Sequence, residues 1–192
     1  MTFPVLTTSL EQLRRVTADV PAGRLDDPTP CREWTVAQVL LHAAGDQHAW
    51  ASFVGSSSLP PYDPFAPPRH LDGTAGDLIG AAIEAATTAW ASVDPAAESV
   101  RTPLPPLATM TPELAAGACA LDAAIHAWDI AAATGQASPL TAELATQLQP
   151  AAHATAEPLR GFAYAPPLPS QPGDDAAATL LRFLGRDPNW TP

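Results

Sequence analysis

Three ionisable side chains lie on one stripe of a helix that is otherwise almost entirely apolar. The stretch Leu114–Gly135 consists largely of Ala, Leu, Ile and Trp, and besides Cys119 its ionisable residues are Asp122, His126 and Asp129. In a helix the first two lie one turn apart on the same face, with the third beside them. A helix that is apolar all round is expected to be buried, and buried charges are costly unless they are paired or bound to a metal. A metal ion is the simplest reason for this stripe.

A third candidate ligand, His42, lies on a second helix that begins after Trp34. An Asp-x3-His pair places two ligand atoms one turn apart, and a side chain from a facing helix can complete a three-ligand site. Two imidazoles and one carboxylate suit zinc, while nickel and iron(II) are compatible with the same set. Three protein ligands leave one coordination position open, as in catalytic zinc sites. The alternative is that His126 is a core histidine bonded to Asp122, with His42 at the bundle surface.

Two further carboxylates lie near this set, and each has two interpretations. Asp129 either accepts a hydrogen bond from a ligand histidine and so orients its ring, or forms a buried ion pair with an arginine such as Arg32. Asp46, one turn after His42, is either a supporting partner or a solvated side chain. It is also the candidate general base if the protein is a metal-dependent hydrolase.

The other residues that are able to do chemistry are expected to be structural. Cys119 is predicted to be a small buried filler rather than a thiolate ligand. Cys31 precedes a helix N-terminus, a position that lowers a thiol pKa, but a structural role is expected there too. Surface positions are expected for His48 and His70, and no role is assigned to His153. The tryptophans Trp34, Trp50, Trp90 and Trp128 are expected to fill the core.

Capping and proline signals delimit the helices that position these residues. We predict helices over about 6–19, 35–55, 74–92 and 111–135, then a peripheral helix over 141–157 interrupted at Pro150, and a last one over 174–184. Thr35 with Gln38 forms a capping box, and Thr111 and Gly135 cap the long helix. The Pro-rich stretch 59–73 predicts an ordered loop that covers a pocket, and 94–106 is expected to be irregular with an extended piece at about 99–102. The pattern predicts one all-α domain over 1–192, with core helices at about 6–135 and an accessory C-terminal segment at 136–192.

Composition argues against several functional classes. All nine basic residues are arginine, which excludes lysine Schiff-base chemistry and a P-loop lysine. The net charge of −11 argues against nucleic acid and anionic membrane as partners. Two Asp and one His within the longest helix also argue against lipid exposure. Only two cysteines and an N-terminus without a secretion signal predict a cytoplasmic protein. A monomer or a homodimer is expected, and the sequence does not distinguish the two.

Three sequence blocks together resemble one family. The block TPCREWTVAQVLLHAAGD, which contains His42, resembles the second-helix block of the DinB-like metal-binding bundles, specifically the mycothiol-dependent maleylpyruvate isomerase N-terminal branch. The block LDAAIHAWDIAAATG resembles the fourth-helix block of that family. The block LLRFLGRDP resembles the ending of a single-domain actinobacterial subgroup described as metal-binding proteins.

The resemblance implies a DinB-like up-down-down-up four-helix bundle with one or two accessory C-terminal helices. It also implies a divalent metal held by His42, Asp122 and His126. Related isomerases commonly have Glu where this chain has Asp122, and the shorter side chain bears on which metal is bound. The additional C-terminal domain of the isomerase is expected to be absent, which argues against maleylpyruvate as the substrate.

The resemblance predicts a thiol-dependent S-transferase or isomerase whose metal activates mycothiol toward an electrophilic small molecule. Two alternatives belong to other classes. One is a non-catalytic metal-binding module for sensing or assembly, and the other is a metal-dependent hydrolase with Asp46 as its base.

Overall fold

The computed structural model describes residues 2–55 and 57–192, and the described chain is mostly helical. A single 3-10 turn at Ala22–Arg24 and a two-stranded antiparallel hairpin accompany six α-helices. The helices are α1 (Pro4–Ala18), α2 (Val36–Val54), α3 (Ala75–Ala91), α4 (Pro112–Thr134), α5 (Ala142–Ala156) and α6 (Ala176–Phe183), and the strands are β1 (Val100–Leu104) and β2 (Leu107–Met110).

Contacts at the helix ends establish how the four long helices run. Gly55, at the end of α2, lies against Ala89 near the end of α3, so these two helices are parallel. Gln136, just after α4, donates a hydrogen bond to the carbonyl of Val16 near the end of α1, so α1 and α4 are also parallel.

The two parallel pairs run in opposite directions. His42 lies beside His126, whereas Gln47, further along α2, bonds to Cys119, which is earlier in α4. Each of the four helices packs against members of both pairs, with α1 on α4 and α3, and α2 on α3 and α4. The order is therefore up-down-down-up, which confirms the predicted all-α bundle with C-terminal helices.

The termini of α2 and α4 follow the predicted caps. The Thr35 hydroxyl accepts a bond from the Gln38 amide, and the Gln38 side chain accepts one from the Thr35 amide. Thr111 caps the start of α4, and Gly135 ends it with φ +73°, in the left-handed region that favours glycine. Within the described ranges α4 is the one helix long and apolar enough to cross a membrane, but 89% of that stretch is buried inside the protein, as in a core helix.

Two predicted elements differ from the structure. The extended piece expected at about 99–102 is part of β1, but this strand belongs to a hairpin that was not predicted, in which Val100 pairs with Met110 of β2. The helix expected to be interrupted at Pro150 and peripheral is continuous, and its inner face packs on α4, so that prediction is wrong. Pro150 is exposed, as is Thr146 four residues earlier, so water can satisfy the carbonyl that loses its partner.

Candidate metal centre

The facing helices α2 and α4 bring His42, Asp122 and His126 together. The Oδ1 atom of Asp122 lies 3.4 Å from Nε2 of His42 and 3.3 Å from Nε2 of His126. One possible ligand atom from each residue lies within 4.8 Å of the others. Both histidines are buried, with exposed fractions of 7% and 6%, so water does not screen the group.

The second nitrogen of each imidazole already has a partner. Nδ1 of His42 lies 2.8 Å from the carbonyl oxygen of Pro64, and Nδ1 of His126 lies 3.0 Å from Oδ2 of Asp129. A carbonyl and a carboxylate can only accept hydrogen bonds, so Nδ1 carries the hydrogen in both rings. In the neutral tautomers both Nε2 atoms therefore present lone pairs toward Asp122.

Such a group needs a positive charge at its centre. Two Nε2 lone pairs and a carboxylate oxygen all accept, and together they repel unless a proton or a metal ion lies between them. The other oxygen of the carboxylate, Oδ2 of Asp122, is buried without a hydrogen-bond partner in the described part of the chain. The donor set and this unpartnered atom fit a divalent cation, and histidines held through Nδ1 are typical of metal ligands.

The pKa values of His126 and Asp122 are shifted in opposite directions, and each shift favours the charged form of its side chain. Burial alone would lower the pKa of His126, but the carboxylates of Asp122 and Asp129 raise it to about 9. Burial alone would raise the pKa of Asp122, but the imidazoles of His126 and His42 hold it well below its usual range. A proton on His126 thus compensates the carboxylates, and a metal ion would have to displace it.

Asp129 is paired with Arg186, not with Arg32, so the predicted ion pair is wrong in its partner. Nη2 of Arg186 lies 3.0 Å from Oδ2 of Asp129, and its Nε lies 3.1 Å from Oδ1. Arg32 is exposed at the edge of the cavity described below. Although burial opposes it, Arg186 and His126 hold the pKa of Asp129 below its usual range.

A cavity of about 680 Å³ borders the three side chains. Its walls come mainly from the segment just before α2, from α2 and α4, from the loop between α2 and α3, and from the segment after α5. Phe65 of the Pro-rich loop and Phe162 of the later segment meet at its rim, with ring centroids 5.0 Å apart. One residue of the Pro-rich loop, Phe65, thus lines the cavity, and the cover over a pocket stays a prediction.

Trp34 lies in the wall of this cavity, so the prediction that it fills the core is wrong. Its ring is tilted against His42 with centroids 4.7 Å apart, and it is only partly buried. The other three tryptophans are buried as predicted. An aromatic ring on one side of a candidate ligand limits the directions from which water can reach it.

Asp46 is buried at 6% exposure and lines the cavity one turn after His42. It is therefore not solvated, and it does not bind Nδ1 of His42, which is taken by Pro64. Burial and the neighbouring charge of Asp122 raise the pKa of Asp46 well above its usual value. That direction favours a neutral carboxylic acid over a carboxylate base.

The cysteines are not activated nucleophiles. Burial and the charge of Asp129 raise the pKa of Cys31 to about 12, against the effect expected from its place before a helix. Cys119 is fully buried as predicted, and its Sγ donates to Oε1 of Gln47 at 3.1 Å. Of the remaining histidines, His48 is half-buried, whereas His70 and His153 are exposed.

Comparison with known proteins gives a family and two relatives. The family model described as mycothiol maleylpyruvate isomerase N-terminal domain matches residues 6–131, a range that contains all three candidate ligands. Two uncharacterized proteins, from two strains of Mycobacterium tuberculosis, are each 35% identical to the chain over 176 residues, with 88% of the chain and 88% of the relative covered. No solved structure matches the chain significantly.

Proposed function

The chain belongs to the mycothiol maleylpyruvate isomerase N-terminal domain family, and from that membership we propose that it is a divalent-metal-binding, thiol-dependent S-transferase or isomerase. The observation that carries the proposal is the convergence of two Nε2 atoms on one buried carboxylate oxygen. Zinc is the ion that this donor set favours, and nickel or iron(II) fit the same ligands.

His42, Asp122 and His126 would hold the ion and leave a position open toward the cavity. A divalent ion there would lower the pKa of a bound thiol and stabilise its thiolate near neutral pH. Mycothiol is the proposed thiol because of the family, and the cavity is large enough for part of such a molecule beside a small electrophile.

The proposed reaction is attack of the thiol sulfur on an electrophilic carbon. In S-transfer, a C–S bond forms and the leaving group departs with the bonding electrons, while the thiol proton goes to solvent. In isomerisation, the sulfur adds to one carbon of a C=C bond that is conjugated to a carbonyl group. The π electrons move onto the carbonyl oxygen as an enolate, and the former double bond becomes single and rotates. Loss of the same thiol then restores the double bond, so no atoms are gained or lost.

The protein's own groups orient the site and limit its contact with water. The Pro64 carbonyl and the Asp129 carboxylate keep the hydrogens of both imidazoles on Nδ1. Trp34 and Phe65 pack against the ring of His42, and both line the cavity. In such an enclosed setting, charge interactions act more strongly than in water.

The proposal is tested by metal analysis and thiol-transfer assays of the wild type, His126→Ala and His70→Ala. His70 is an exposed loop histidine and serves as the control. We expect about one divalent ion per chain in the wild type and in His70→Ala, with both ion and turnover lost in His126→Ala. Full metal occupancy in His126→Ala would disprove the ligand assignment.

The same assays separate the alternative functions. A protein that binds the ion tightly but neither contacts mycothiol nor turns over a panel of electrophiles would be a non-catalytic metal-binding module. Ester hydrolysis that is lost in Asp46→Asn while the ion is retained would indicate a metal-dependent hydrolase. The hydrolase outcome is not expected, since the raised pKa of Asp46 reduces the carboxylate form that a general base requires.

A further inference from the structure

Arg186 connects the C-terminal part of the chain to the candidate metal centre. It follows α6 and lies outside residues 6–131, the range that the family model matches. Its guanidinium group contacts both oxygens of Asp129, and its Nη1 donates to the carbonyl of Leu184 at 3.3 Å. The side chain is only 10% exposed, so this is a nearly buried, two-point ion pair.

The contacts continue from this pair to a candidate ligand. Asp129 has no exposed surface, and its Oδ2 atom also accepts the hydrogen bond from Nδ1 of His126 at 3.0 Å. The opposite nitrogen of that ring is the one that faces Asp122. Two side chains, Asp129 and His126, thus connect Arg186 to Asp122, and within the described residues Arg186 forms no hydrogen bond or ion pair with the three candidate ligands.

A carboxylate buried this completely depends on its cationic partner. Removing one member of a buried ion pair leaves an uncompensated charge, which is strongly unfavourable. Without Arg186, the Asp129 carboxylate would lose the two-point contact that fixes its orientation, and a carboxylate that turns away no longer offers His126 the same acceptor. A ligand histidine whose outer hydrogen bond is lost binds its metal more weakly.

We propose that Arg186 is a positioning residue of the metal centre, which fixes Asp129 so that His126 presents its Nε2 atom. The inference rests on the proposed metal-binding function. By this proposal, the segment after α5 not only lines the cavity but also holds one of the candidate ligands in place through Arg186.

The chain offers a matched control for this proposal. Arg182, in α6, forms a second buried pair, with its Nε 2.9 Å from Oδ2 of Asp174. The side chain of Arg182 is 6% exposed, so the loss of either arginine removes a comparable interaction from the same segment. In the described part of the chain, the pair of Arg182 and Asp174 does not line the cavity and forms no hydrogen bond or ion pair with the candidate ligands.

The test compares zinc affinity, by chelator competition, in the wild type, Arg186→Met, Arg186→Lys and Arg182→Met. We expect Arg186→Met to weaken zinc binding about 10- to 100-fold, and Arg186→Lys to recover part of that loss because it keeps the charge but not the two-point contact. Arg182→Met should keep zinc affinity within about twofold of the wild type, even if its melting temperature falls. The visible spectrum of the cobalt(II)-loaded protein should change in Arg186→Met and not in Arg182→Met.

Wild-type affinity and spectrum in Arg186→Met would overturn the inference, as would equal weakening in both methionine variants. If Arg186→Met does not fold, Arg186→Lys and Asp129→Asn provide the same comparison against Arg182→Met. If the wild type binds no zinc, nickel or iron, the proposed function fails as a whole. If the wild type binds metal and the Arg186 variants bind it equally well, the inference fails but the proposed function does not.

Discussion

The two imidazoles at the centre are not equivalent, because different acceptors hold them. His42 donates to an uncharged backbone carbonyl, whereas His126 donates to a carboxylate. A charged acceptor makes the ring behind it more basic and the bond stronger. The carboxylates of Asp122 and Asp129 raise the pKa of His126 to about 9, so a proton on this ring is expected to compete with a metal.

Zinc affinity should therefore depend on pH through His126. Below about pH 9 one proton must leave this ring when the metal binds, so we expect the affinity to rise about tenfold per pH unit between about pH 7 and 8.5. Competition with a chromophoric chelator, corrected for the chelator's own protonation, measures this slope. Zinc affinity that is constant over that interval would show that His126 carries no proton to be displaced.

The stability of the metal-free protein should change with pH in the opposite sense. The pKa of His126 in the fold lies above its ordinary value of 6.5, so its contribution is fully present below about pH 6.5 and is lost as the pH rises through about 9. Zinc affinity is thus expected to be highest at the upper end of this pH range, whereas the stability of the metal-free protein is expected to be highest at the lower end.

At the scale of single residues, the sequence predicted the three candidate ligands but not the groups that orient them. Helical spacing places Asp122 and His126 on one face, and the apolar surroundings mark them as unusual. The acceptor of His42 is a backbone carbonyl, which no side-chain pattern reports. Arg186 lies 57 residues after Asp129, and pairing over that separation depends on how the chain folds back.

Among the structural elements, α2 carries one candidate ligand, His42, and also contacts the Pro-rich loop. Gly45 lies where the Pro-rich loop crosses the helix, and a Cβ atom there would be 2.9 Å from Cγ of Pro64 and 3.3 Å from the ring of Tyr62. The hydroxyl of Tyr62 donates a hydrogen bond to the carbonyl of Leu41, which connects the Pro-rich loop to the same helix. The absence of a side chain at Gly45 thus allows the carbonyl of Pro64 to reach His42.

Gly45→Ala should weaken metal binding. The added methyl group meets a rigid proline ring, so the loop must shift and His42 loses its acceptor, for which we expect about a tenfold increase in the dissociation constant for zinc. Gly80→Ala in α3 is the control, since a Cβ atom there meets only the end of Arg14 at 3.9 Å. That variant should keep the zinc affinity and gain about 1 kcal/mol in unfolding free energy from helix propensity. Equal zinc affinities in the two variants would contradict this role of Gly45.

Elements with a strong local signal were predicted well. Thr35, Thr111 and Gly135 delimit α2 and α4 through caps that involve only nearby residues. Of the hairpin after α3, only the extended piece at about 99–102 was predicted. The continuity of α5 was missed because it depends on packing against α4. In α5, burial of Leu144 and Leu148 outweighs the hydrogen bond that proline removes.

For the whole molecule, a bound ion should be a measurable part of stability. A ligand at 100 times its dissociation constant raises the free energy of unfolding by about 2.7 kcal/mol. For a chain of this size, that corresponds to about 5 to 10 °C in Tm. We therefore expect a chelator to lower the Tm of the zinc-loaded protein by this amount and to leave the Tm of His126→Ala unchanged. An equal chelator effect on both proteins would mean that the ion binds elsewhere.

The up-down-down-up order followed from the family resemblance, because helical periodicity alone does not give the direction of each helix. The segment 136–192, predicted to be accessory, contributes Phe162 and Arg186 to the cavity and so takes part in the site. Proline-rich connectors have no periodicity from which such a role could be predicted. A single domain over 1–192, zinc as the ion and a cytoplasmic location stay predictions.

The pair of Arg186 and Asp129 also has a consequence for the order of events during synthesis. The residues matched by the family model, including every candidate ligand, leave the ribosome first, and the 57 residues that separate the pair require roughly 3 to 11 seconds more at 5–20 residues per second. In a nascent chain, the three candidate metal ligands are thus present before Arg186, the arginine that we propose positions His126. Any ion captured in that interval would be held less firmly, and could still be exchanged for another.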